Sequence, residues 1–329
     1  MMKMTPLGNS GLKISKMGLG TWAIGGGPAW NGDLDYQVCI DTIVEAHKCG
    51  INLVDTAPGY NFGNSEVIVG KALAQLNRED VVIETKCGIV WERKGSLFNK
   101  VGERQLYKNL SPESIREEIE TSLKRLNVDY VDIYMTHWQS VPPFFTPVSE
   151  TMEELNKLKK EGKIKAIGAA NVDIEHIETY LKYGELDIVQ AKYSLLDREV
   201  EEKLLPLCEQ HGIVLQVYSP LEQGLLTGDI EPDYIPTGAR ANKKWFQKEN
   251  MGKVINMLKQ WQPLCEKYQC SIPTLALAWI LAQSNNISIL TGATSPEQVK
   301  ENVKAMSIQL TKEDSLLIRK MAEALDDGQ

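Results

Sequence analysis

Short apolar runs alternate with amphipathic segments eight times along the 329 residues of the chain. The runs are rich in Val and Ile, as the strands of buried parallel sheets are. They lie near residues 17–21, Leu53, Ile83, Ile133, Ile167, Val189, Val217 and Ile289. Eight strand-helix repeats predict an α/β fold, the closed (β/α)₈ or TIM barrel, in place of an open sheet of five or six strands. We expect one domain over residues 1–329, because no low-complexity linker divides the chain.

Local sequence signals refine this prediction. Gly8-Asn-Ser-Gly11, between two short flanks, predicts an N-terminal hairpin. The Ser-Pro pairs at residues 111–112 and 295–296 predict helix starts, with serine as N-cap and proline at the first helical position. Residues 87–110 and 221–268 are too long for simple crossovers. We expect both to form long loops over the carboxyl rim of the barrel.

Composition argues against several classes of function. A formal net charge of -8 disfavours a nucleic-acid binder, which needs clustered cations. The six cysteines form no CxxC pair, so neither a disulfide framework nor a metal site is indicated. The start of the chain lacks the apolar segment of a signal peptide, and the most apolar stretch, 274–282, is too short to span a bilayer. We therefore expect a cytoplasmic protein that does not act on a membrane.

One glycine motif is misleading. Gly18, Gly20 and Ala23 fit the letters of a GxGxxA dinucleotide fingerprint. The following Ile-Gly-Gly-Gly-Pro, residues 24–28, cannot open the helix whose N-terminus would hold a pyrophosphate. We reject a Rossmann fold on this ground.

Four polar residues, which we call the tetrad, lie where apolar runs end. Asp55, Lys86 and His137 each close a run, and Tyr60 follows Asp55 by five residues. Taken singly, the first three could cap a turn, extend to solvent or pack in the core. Together they occupy the ends of the second, third and fourth strands, and the carboxyl ends of barrel strands meet at one rim. This placement favours a shared function.

The tetrad suits the reduction of a carbonyl group. A phenol is a poor acid at neutral pH, and the ammonium of Lys86 should stabilise the phenolate of Tyr60 and lower its pKa. Asp55 would keep Lys86 charged and in place. His137 would donate to an acceptor oxygen or orient it. Such a set can protonate a carbonyl oxygen while hydride reaches its carbon.

The segments Asp55-Thr-Ala-Pro-Gly-Tyr60, Glu84-Thr-Lys86 and Thr136-His137-Trp138 resemble the tetrad segments of the aldo-keto reductase superfamily. The likeness covers essentially the whole chain. It implies an oxidoreductase that is a nicotinamide-dependent carbonyl reductase on a (β/α)₈ barrel. The implied catalytic roles are proton donor for Tyr60, tuning pair for Lys86 and Asp55, and substrate orienter for His137.

The same resemblance implies a cofactor groove. Its nicotinamide end would be formed by Gly20, Thr21, Trp22, Asp55, Asn171, Gln190 and Tyr218. The pyrophosphate would be bound by Ser219, Pro220, Leu221, Gly224 and Arg240. The adenosine would be bound by Gly292, Thr294, Gln298, Glu301 and Asn302.

Missing cations indicate which cofactor is bound. NADP-dependent relatives carry Lys or Arg at positions matching Gly292, Thr294 or Gln298, because a 2′-phosphate calls for a cation. None of the three is basic here, and Asp229 stands where a Lys is familiar in the family. We expect NADH in preference to NADPH, with Lys300 or Lys304 as the alternative source of positive charge.

The expected substrate is a small-molecule carbonyl compound. Its pocket should be lined by Trp22, Trp30, Tyr60, Trp91, His137 and Trp138. Packing in the core is the alternative for each tryptophan. The detailed sequence is similar to reductases of short aldehydes and 2-oxoaldehydes such as methylglyoxal. Two other functions stay open: a cofactor-binding regulatory subunit, like channel-associated members of the superfamily, and an NAD-dependent dehydrogenase of sugars or polyols.

Overall fold

Eight parallel strands close into a barrel in the computed structural model, which describes residues 2–32 and 34–325. The strands, numbered in chain order, are β1 Met4–Pro6, β2 Lys13–Ser15, β3 Met17–Gly20, β4 Leu53–Asp55, β5 Val82–Cys87, β6 Ile89–Val90, β7 Ser96–Val101, β8 Arg104–Lys108, β9 Val131–Thr136, β10 Ile164–Ala170, β11 Ile188–Lys192, β12 Val214–Tyr218 and β13 Ile287–Gly292. The order around the barrel is β3-β4-β5-β9-β10-β11-β12-β13, and β13 pairs with β3 to close it. Each of the eight predicted strands is therefore confirmed.

Helices follow the barrel strands and cover them. They are α1 Tyr36–Lys48, α2 Asn64–Leu73, α3 Pro112–Leu126, α4 Val148–Lys160, α5 Ile174–Tyr183, α6 Leu204–His211, α7 Lys248–Lys259, α8 Gln262–Tyr268, α9 Ile272–Leu281, α10 Pro296–Val303 and α11 Lys312–Glu323. Both predicted Ser-Pro starts are confirmed. The hydroxyl of Ser111 accepts from the Ser114 backbone N–H, and that of Ser295 accepts from the Gln298 backbone N–H.

The core has two parts because successive strand residues face opposite sides of the barrel wall. Val54 and Ile83 face outward into the large apolar layer under the helices. Leu53 and Val82 face inward and belong to a smaller cluster inside the barrel. The predicted hairpin, β1 paired antiparallel with β2, contributes Leu7 and Ile14 to that inner cluster. Apolar side chains therefore fill the barrel at the hairpin side and leave its carboxyl end for polar groups.

The two long intervals contain more regular structure than the expected loops. Residues 87–110 form a three-stranded antiparallel sheet in the order β6-β8-β7. Residues 221–268 begin with short 3-10 segments and then form α7 and α8. Both intervals are long insertions between barrel strands, as predicted, and only the regular structure inside them was not predicted. The reason is that antiparallel pairing and helix packing depend on contacts with the rest of the fold, which local sequence does not reveal.

Among the described residues, no helix is long and apolar enough to cross a membrane. The expected single domain over residues 1–329 also includes Met1, Asp33 and residues 326–329, which lie outside the described residues.

Two helical glycines make a matched pair for testing how closely the outer helices pack. A Cβ atom on Gly70, in α2, would lie 2.7 Å from the carbonyl oxygen of Arg125 and 2.8 Å from that of Leu126. A Cβ atom on Gly252, in α7, would meet nothing within 4 Å. Gly70→Ala should therefore destabilise the protein by about 1–3 kcal/mol, the usual cost of overpacking.

Gly252→Ala is the control, and it should stabilise the protein by about 0.5–1 kcal/mol because alanine is the better helix former. Urea unfolding measures both variants. Equal effects of the same sign would contradict the close approach of α2 to the end of α3.

Candidate active site

The tetrad comes together at the carboxyl end of the barrel. Asp55 ends β4, Lys86 is the penultimate residue of β5, and His137 directly follows β9. Tyr60 lies in the turn that connects β4 to α2. The Lys86 ammonium donates to Asp55 Oδ1, to the Tyr60 hydroxyl oxygen at 3.1 Å and to the Thr56 carbonyl oxygen at 3.0 Å. The structure thus joins the four residues that sequence reasoning selected.

Strand alternation explains why these side chains point into the barrel. Asp55 follows the inward-facing Leu53 by two residues, and Lys86 follows the inward-facing Val82 by four. Five polar residues share this inner level, and we call them the inner polar layer: Asp55, Glu84, Lys86, Gln190 and Gln216. Each of them is at most 3% exposed.

The ion pair of Asp55 and Lys86 sets the electrostatics of the site. Burial lowers the pKa of Lys86, but the Asp55 carboxylate beside the ammonium outweighs burial, so the pKa of Lys86 lies above its ordinary value. Lys86 therefore stays a cation at neutral pH. An ammonium without access to water is stable only if a counter-ion and hydrogen-bond acceptors replace its hydration, as they do here.

Tyr60 is held as a neutral phenol. Burial and the Asp55 carboxylate raise the pKa of Tyr60, and the Lys86 ammonium counteracts them only in part. The sequence predicted that Lys86 would lower the pKa below its ordinary value, and the net direction found here is upward. The Tyr60 hydroxyl oxygen lies 3.5 Å from Asp55 Oδ2, a weak contact that leaves the hydroxyl proton available to a stronger acceptor.

His137 is a neutral imidazole beside Tyr60. The two rings meet edge to face with centroids 5.8 Å apart. Burial, reinforced by the Lys86 charge, lowers the pKa of His137 well below its ordinary value. Its buried Nδ1 has no hydrogen-bond partner within the described part of the chain. A neutral ring at this place can donate or accept one hydrogen bond without adding charge to the site.

The residues expected at the nicotinamide end surround this layer. Gly20 pairs with Asp55 across β3 and β4, and the Asn171 backbone N–H donates to the Gln190 carbonyl oxygen. The Tyr218 hydroxyl donates to Asn171 Oδ1 at 2.8 Å. Asn171 Nδ2 in turn donates to the His137 carbonyl oxygen at 2.9 Å. These contacts tie the expected cofactor residues to the tetrad through hydrogen bonds.

Thr21 and Trp22 continue from Gly20 at the same rim. The Thr21 backbone N–H donates to the Asp55 carbonyl oxygen at 3.0 Å. Trp22 faces Tyr60, with ring centroids 6.3 Å apart.

The residues expected at the pyrophosphate lie in the turn after β12. Ser219 and Gly224 have positive φ angles of 54° and 97°. The Gly224 backbone N–H donates to the Leu221 carbonyl oxygen, and Pro220 is buried. The Arg240 guanidinium reaches this turn and donates to the Gln223 carbonyl oxygen at 2.9 Å.

The residues expected at the adenosine lie beyond β13. Gly292 pairs with Gly20, and a Cβ atom there would meet nothing within 4 Å. Gln298 Oε1 accepts from the Thr294 backbone N–H at 2.8 Å. Asn302 Nδ2 donates to the Gly292 carbonyl oxygen at 3.4 Å. The open backbone at Gly292 fits the close approach of a dinucleotide.

The two alternative cations near the adenosine end are both engaged in ion pairs. Lys300 lies 3.5 Å from Glu45, and Lys304 lies 2.6 Å from Glu301. Asp229 is exposed in the turn after β12. A 2′-phosphate would have to compete with these carboxylates for the two ammonium groups.

The six residues expected around the substrate divide into separate contacts. Trp22 and Trp30 meet edge to face at 5.1 Å, and they share one side of the site with Tyr60 and His137. Trp91 instead packs against Phe62 and lines a cavity of about 30 Å³ with Glu118 and Arg125. Trp138 packs against Phe98. Ring contacts thus join Trp22, Trp30, Tyr60 and His137. Trp138 instead contacts Phe98 of β7, and Trp91, which directly follows β6, contacts Phe62.

Sequence reasoning missed Glu84 and Gln216 in the inner polar layer. Gln216 Nε2 donates to Glu84 Oε2 at 3.0 Å, and Gln190 Nε2 lies 2.8 Å from Glu84 Oε1. Glu84 could have been found, because it precedes Lys86 by two residues on one strand and must face the same side of the sheet.

Comparison with known proteins assigns this chain to a family. The model of the Aldo/keto reductase family matches residues 16–323. The chain belongs to the aldo/keto reductase family. Its closed barrel of eight parallel strands is the fold that the resemblance to this family implied.

Three relatives illustrate the range of this family. The chain is 75% identical over 325 residues to the NADH-specific methylglyoxal reductase of Escherichia coli (strain K12). The alignment covers 99% of this chain and 100% of the relative. The chain is 32% identical over 315 residues to the probable voltage-gated potassium channel subunit beta of Arabidopsis thaliana, covering 92% and 90% of the two chains. The solved structure of the glycerol dehydrogenase AKR11B4 from Gluconobacter oxydans superposes with a TM-score of 0.83 at 33% identity, covering 97% and 94%.

The ion pair makes a prediction for stability. Asp55→Asn leaves the Lys86 ammonium buried without its carboxylate, so the free energy of unfolding should fall by about 3–5 kcal/mol at neutral pH. Because the pKa of Lys86 is raised in the folded protein, the contribution of the pair is fully present below the unfolded-state lysine pKa. It is lost only as the pH rises through the higher folded-state pKa.

Glu153→Gln is the control, because Glu153 pairs with Lys157 on an exposed helix surface. This variant should leave the urea midpoint unchanged. If Asp55→Asn were as stable as the control between neutral and mildly alkaline pH, the assigned role of the ion pair would be wrong.

Proposed function

We propose that the protein reduces small aldehydes and 2-oxoaldehydes, such as methylglyoxal, with NADH as the reductant. The main structural support for this proposal is the Lys86 ammonium, which donates to both Asp55 and the Tyr60 hydroxyl inside the barrel. The 75% identity over essentially the full chain to an NADH-specific methylglyoxal reductase supports the choice of substrate and cofactor.

Tyr60 is the proposed proton donor. NADH, when bound, supplies hydride to the carbonyl carbon. The Tyr60 hydroxyl gives its proton to the carbonyl oxygen, on which negative charge develops. The Lys86 ammonium, 3.1 Å from the Tyr60 oxygen, then stabilises the phenolate left behind. Asp55 holds the ammonium in this position, so the pair acts on the phenol through electrostatics.

His137 and the neighbouring tryptophans are proposed to orient the substrate. The neutral imidazole can donate a hydrogen bond to the carbonyl oxygen, which fixes that oxygen next to Tyr60. Trp22 and Trp30 form an apolar wall beside the phenol and favour a short carbonyl compound. Trp91 and Trp138 would act at the outer edge of the pocket, where they support the aromatic residues Phe62 and Phe98.

The proposed cofactor groove follows the rim from the tetrad to Gly292. Asn171 and Gln190 would bind the carboxamide, and Tyr218 would stack on the ring, because an aromatic face suits a flat ring. The turn that begins at Ser219, together with the Arg240 guanidinium that reaches it, would bind the pyrophosphate. The other residues proposed for the groove are Gly20, Thr21, Trp22, Asp55, Pro220, Leu221, Gly224, Gly292, Thr294, Gln298, Glu301 and Asn302.

NADH is the proposed cofactor because the adenosine end offers no unpaired lysine at Lys300 or Lys304. The regulatory and polyol-oxidising alternatives have less support, since their named relatives are only 32% and 33% identical to this chain. We place the protein in the cytoplasm, a reducing setting that fits its free cysteines.

A matrix of cofactors and carbonyl compounds tests the proposal. Purified protein is assayed with NADH or NADPH against short aldehydes, 2-oxoaldehydes and sugars, and glycerol with NAD is tested in the oxidative direction. We expect the highest kcat/KM for NADH with a 2-oxoaldehyde, at least about tenfold above NADPH. Tyr60→Phe, assayed in parallel, should lower kcat by about a hundredfold or more, the range of general acid catalysis.

The Tyr60→Phe variant also separates chemistry from binding. It should bind NADH with nearly unchanged affinity, because the phenol oxygen is proposed to contact the substrate and not the cofactor. Intrinsic tryptophan fluorescence measures this affinity. A preference for NADPH would contradict the cofactor assignment. Binding of nicotinamide without turnover of any carbonyl compound would favour the regulatory function instead.

A further inference from the structure

The inner polar layer contains a second buried acid that the mechanism above does not use. Glu84 is 0% exposed, and its Oε1 and Oε2 lie 2.8 Å from Gln190 Nε2 and 3.0 Å from Gln216 Nε2. Asp55 pairs with Glu84 across β4 and β5, and Gln190 Nε2 also lies 3.1 Å from Asp55 Oδ1, so one amide nitrogen contacts both acids. Two carboxyl groups that occupy one site do not both ionise readily, and a proton held by one of them allows a hydrogen bond between them.

The Gln190 amide links the two acids. Gln190 Nε2 lies within hydrogen-bonding distance of three oxygen atoms: Asp55 Oδ1 at 3.1 Å, Glu84 Oε1 at 2.8 Å and Gln216 Oε1 at 2.7 Å. An amide group has only two N–H hydrogens. Asp55 Oδ1 already accepts from the Lys86 ammonium, whereas the donors that contact Glu84 in the described part of the chain are amides only.

The charges of the layer indicate the protonation state of Glu84. Within the described residues, Lys86 is the cation that contacts Asp55, and no ion pair is formed by Glu84. Two ionised carboxylates with one ammonium would leave a net negative charge in the dry interior of the barrel. Burial, reinforced by the Asp55 charge, raises the pKa of Glu84 well above its ordinary value.

We propose that Glu84 is a positioning residue that stays a neutral carboxylic acid and shares its proton with Asp55. This hydrogen bond holds the Asp55 carboxylate against the Lys86 ammonium and limits the negative charge that Tyr60 experiences. The inference rests on the proposed function, because its catalytic effect is exerted through Lys86 and Tyr60. Among the residues described, three titratable groups face Glu84. They are Asp55 from β4, Tyr60 from the turn after β4, and Lys86 from the same strand as Glu84.

Two substitutions separate a neutral acid from an ionised one. Glu84→Gln retains a hydrogen-bond donor and an acceptor without charge, so it should keep kcat within about fivefold of the wild type. Glu84→Met has a similar length but can neither donate nor accept, and it should lower kcat by about tenfold or more. That fold-change corresponds to the loss of one hydrogen bond to a charged group. The KM for the carbonyl compound should stay nearly constant, because Glu84 does not line the pocket.

The pH dependence provides a readout that a purely structural role would not change. Across neutral pH, the profiles of log kcat for the wild type and Glu84→Gln should have the same shape, because the group is neutral in both. A shifted profile in Glu84→Gln would show that the wild type carries a negative charge there and would overturn the proposal. Glu118→Gln is the control: Glu118 is buried outside the barrel, accepts from the Gly88 backbone N–H, and should not affect kcat.

Infrared spectroscopy tests the protonation state without any assay of activity. At neutral pH the difference spectrum between the wild type and Glu84→Gln should contain the carbonyl band of one protonated carboxylic acid, and the difference spectrum between the wild type and Glu153→Gln, a change at an exposed ion pair, should not. Absence of this difference would overturn the proposal even if Glu84→Met failed to fold. If the wild type reduced no carbonyl compound, the proposed function would fail while the infrared band would still decide the state of Glu84.

Discussion

A lysine ammonium buried inside a barrel is stable only with its counter-ion, and the site is arranged around this requirement. Lys86 is 0% exposed, and it donates to the Asp55 carboxylate, the Thr56 carbonyl oxygen and the Tyr60 hydroxyl. The barrel makes the arrangement possible because neighbouring parallel strands bring Asp55 and Lys86 to one inward-facing level. The same contact that satisfies the ammonium places it against the phenol that we propose as the proton donor.

The surrounding groups limit the charge of this site. His137 is neutral, since burial and Lys86 lower its pKa, and Tyr60 is neutral, since burial and Asp55 raise its pKa. With Glu84 as a neutral acid, the layer has one positive and one negative charge. A site balanced in this way can accept charge on a substrate oxygen or on Tyr60 without first ionising elsewhere, which is the essence of electrostatic preorganisation.

The barrel and the tetrad could be predicted from sequence because both depend on local periodicity. Runs such as residues 131–136 are mostly apolar and are buried along their whole length, and the polar residue that ends each run marks the rim. The sheet within residues 87–110 and the helices within 221–268 could not be predicted, because they depend on tertiary contacts. The pKa of Tyr60 could not be predicted either, since the depth of burial decides its direction. Glu84 was predictable in principle from its spacing to Lys86, but only its contacts reveal a role.

A double-mutant cycle on Tyr60 and Lys86 tests the central claim most directly. If Lys86 acts through the phenol, Lys86→Met should lower kcat strongly in the wild-type background and hardly at all in the Tyr60→Phe background. The two single variants and the double variant should then have similar residual rates. Losses that simply multiply in the double variant would show that Lys86 acts independently of Tyr60, and this account of the site would be wrong.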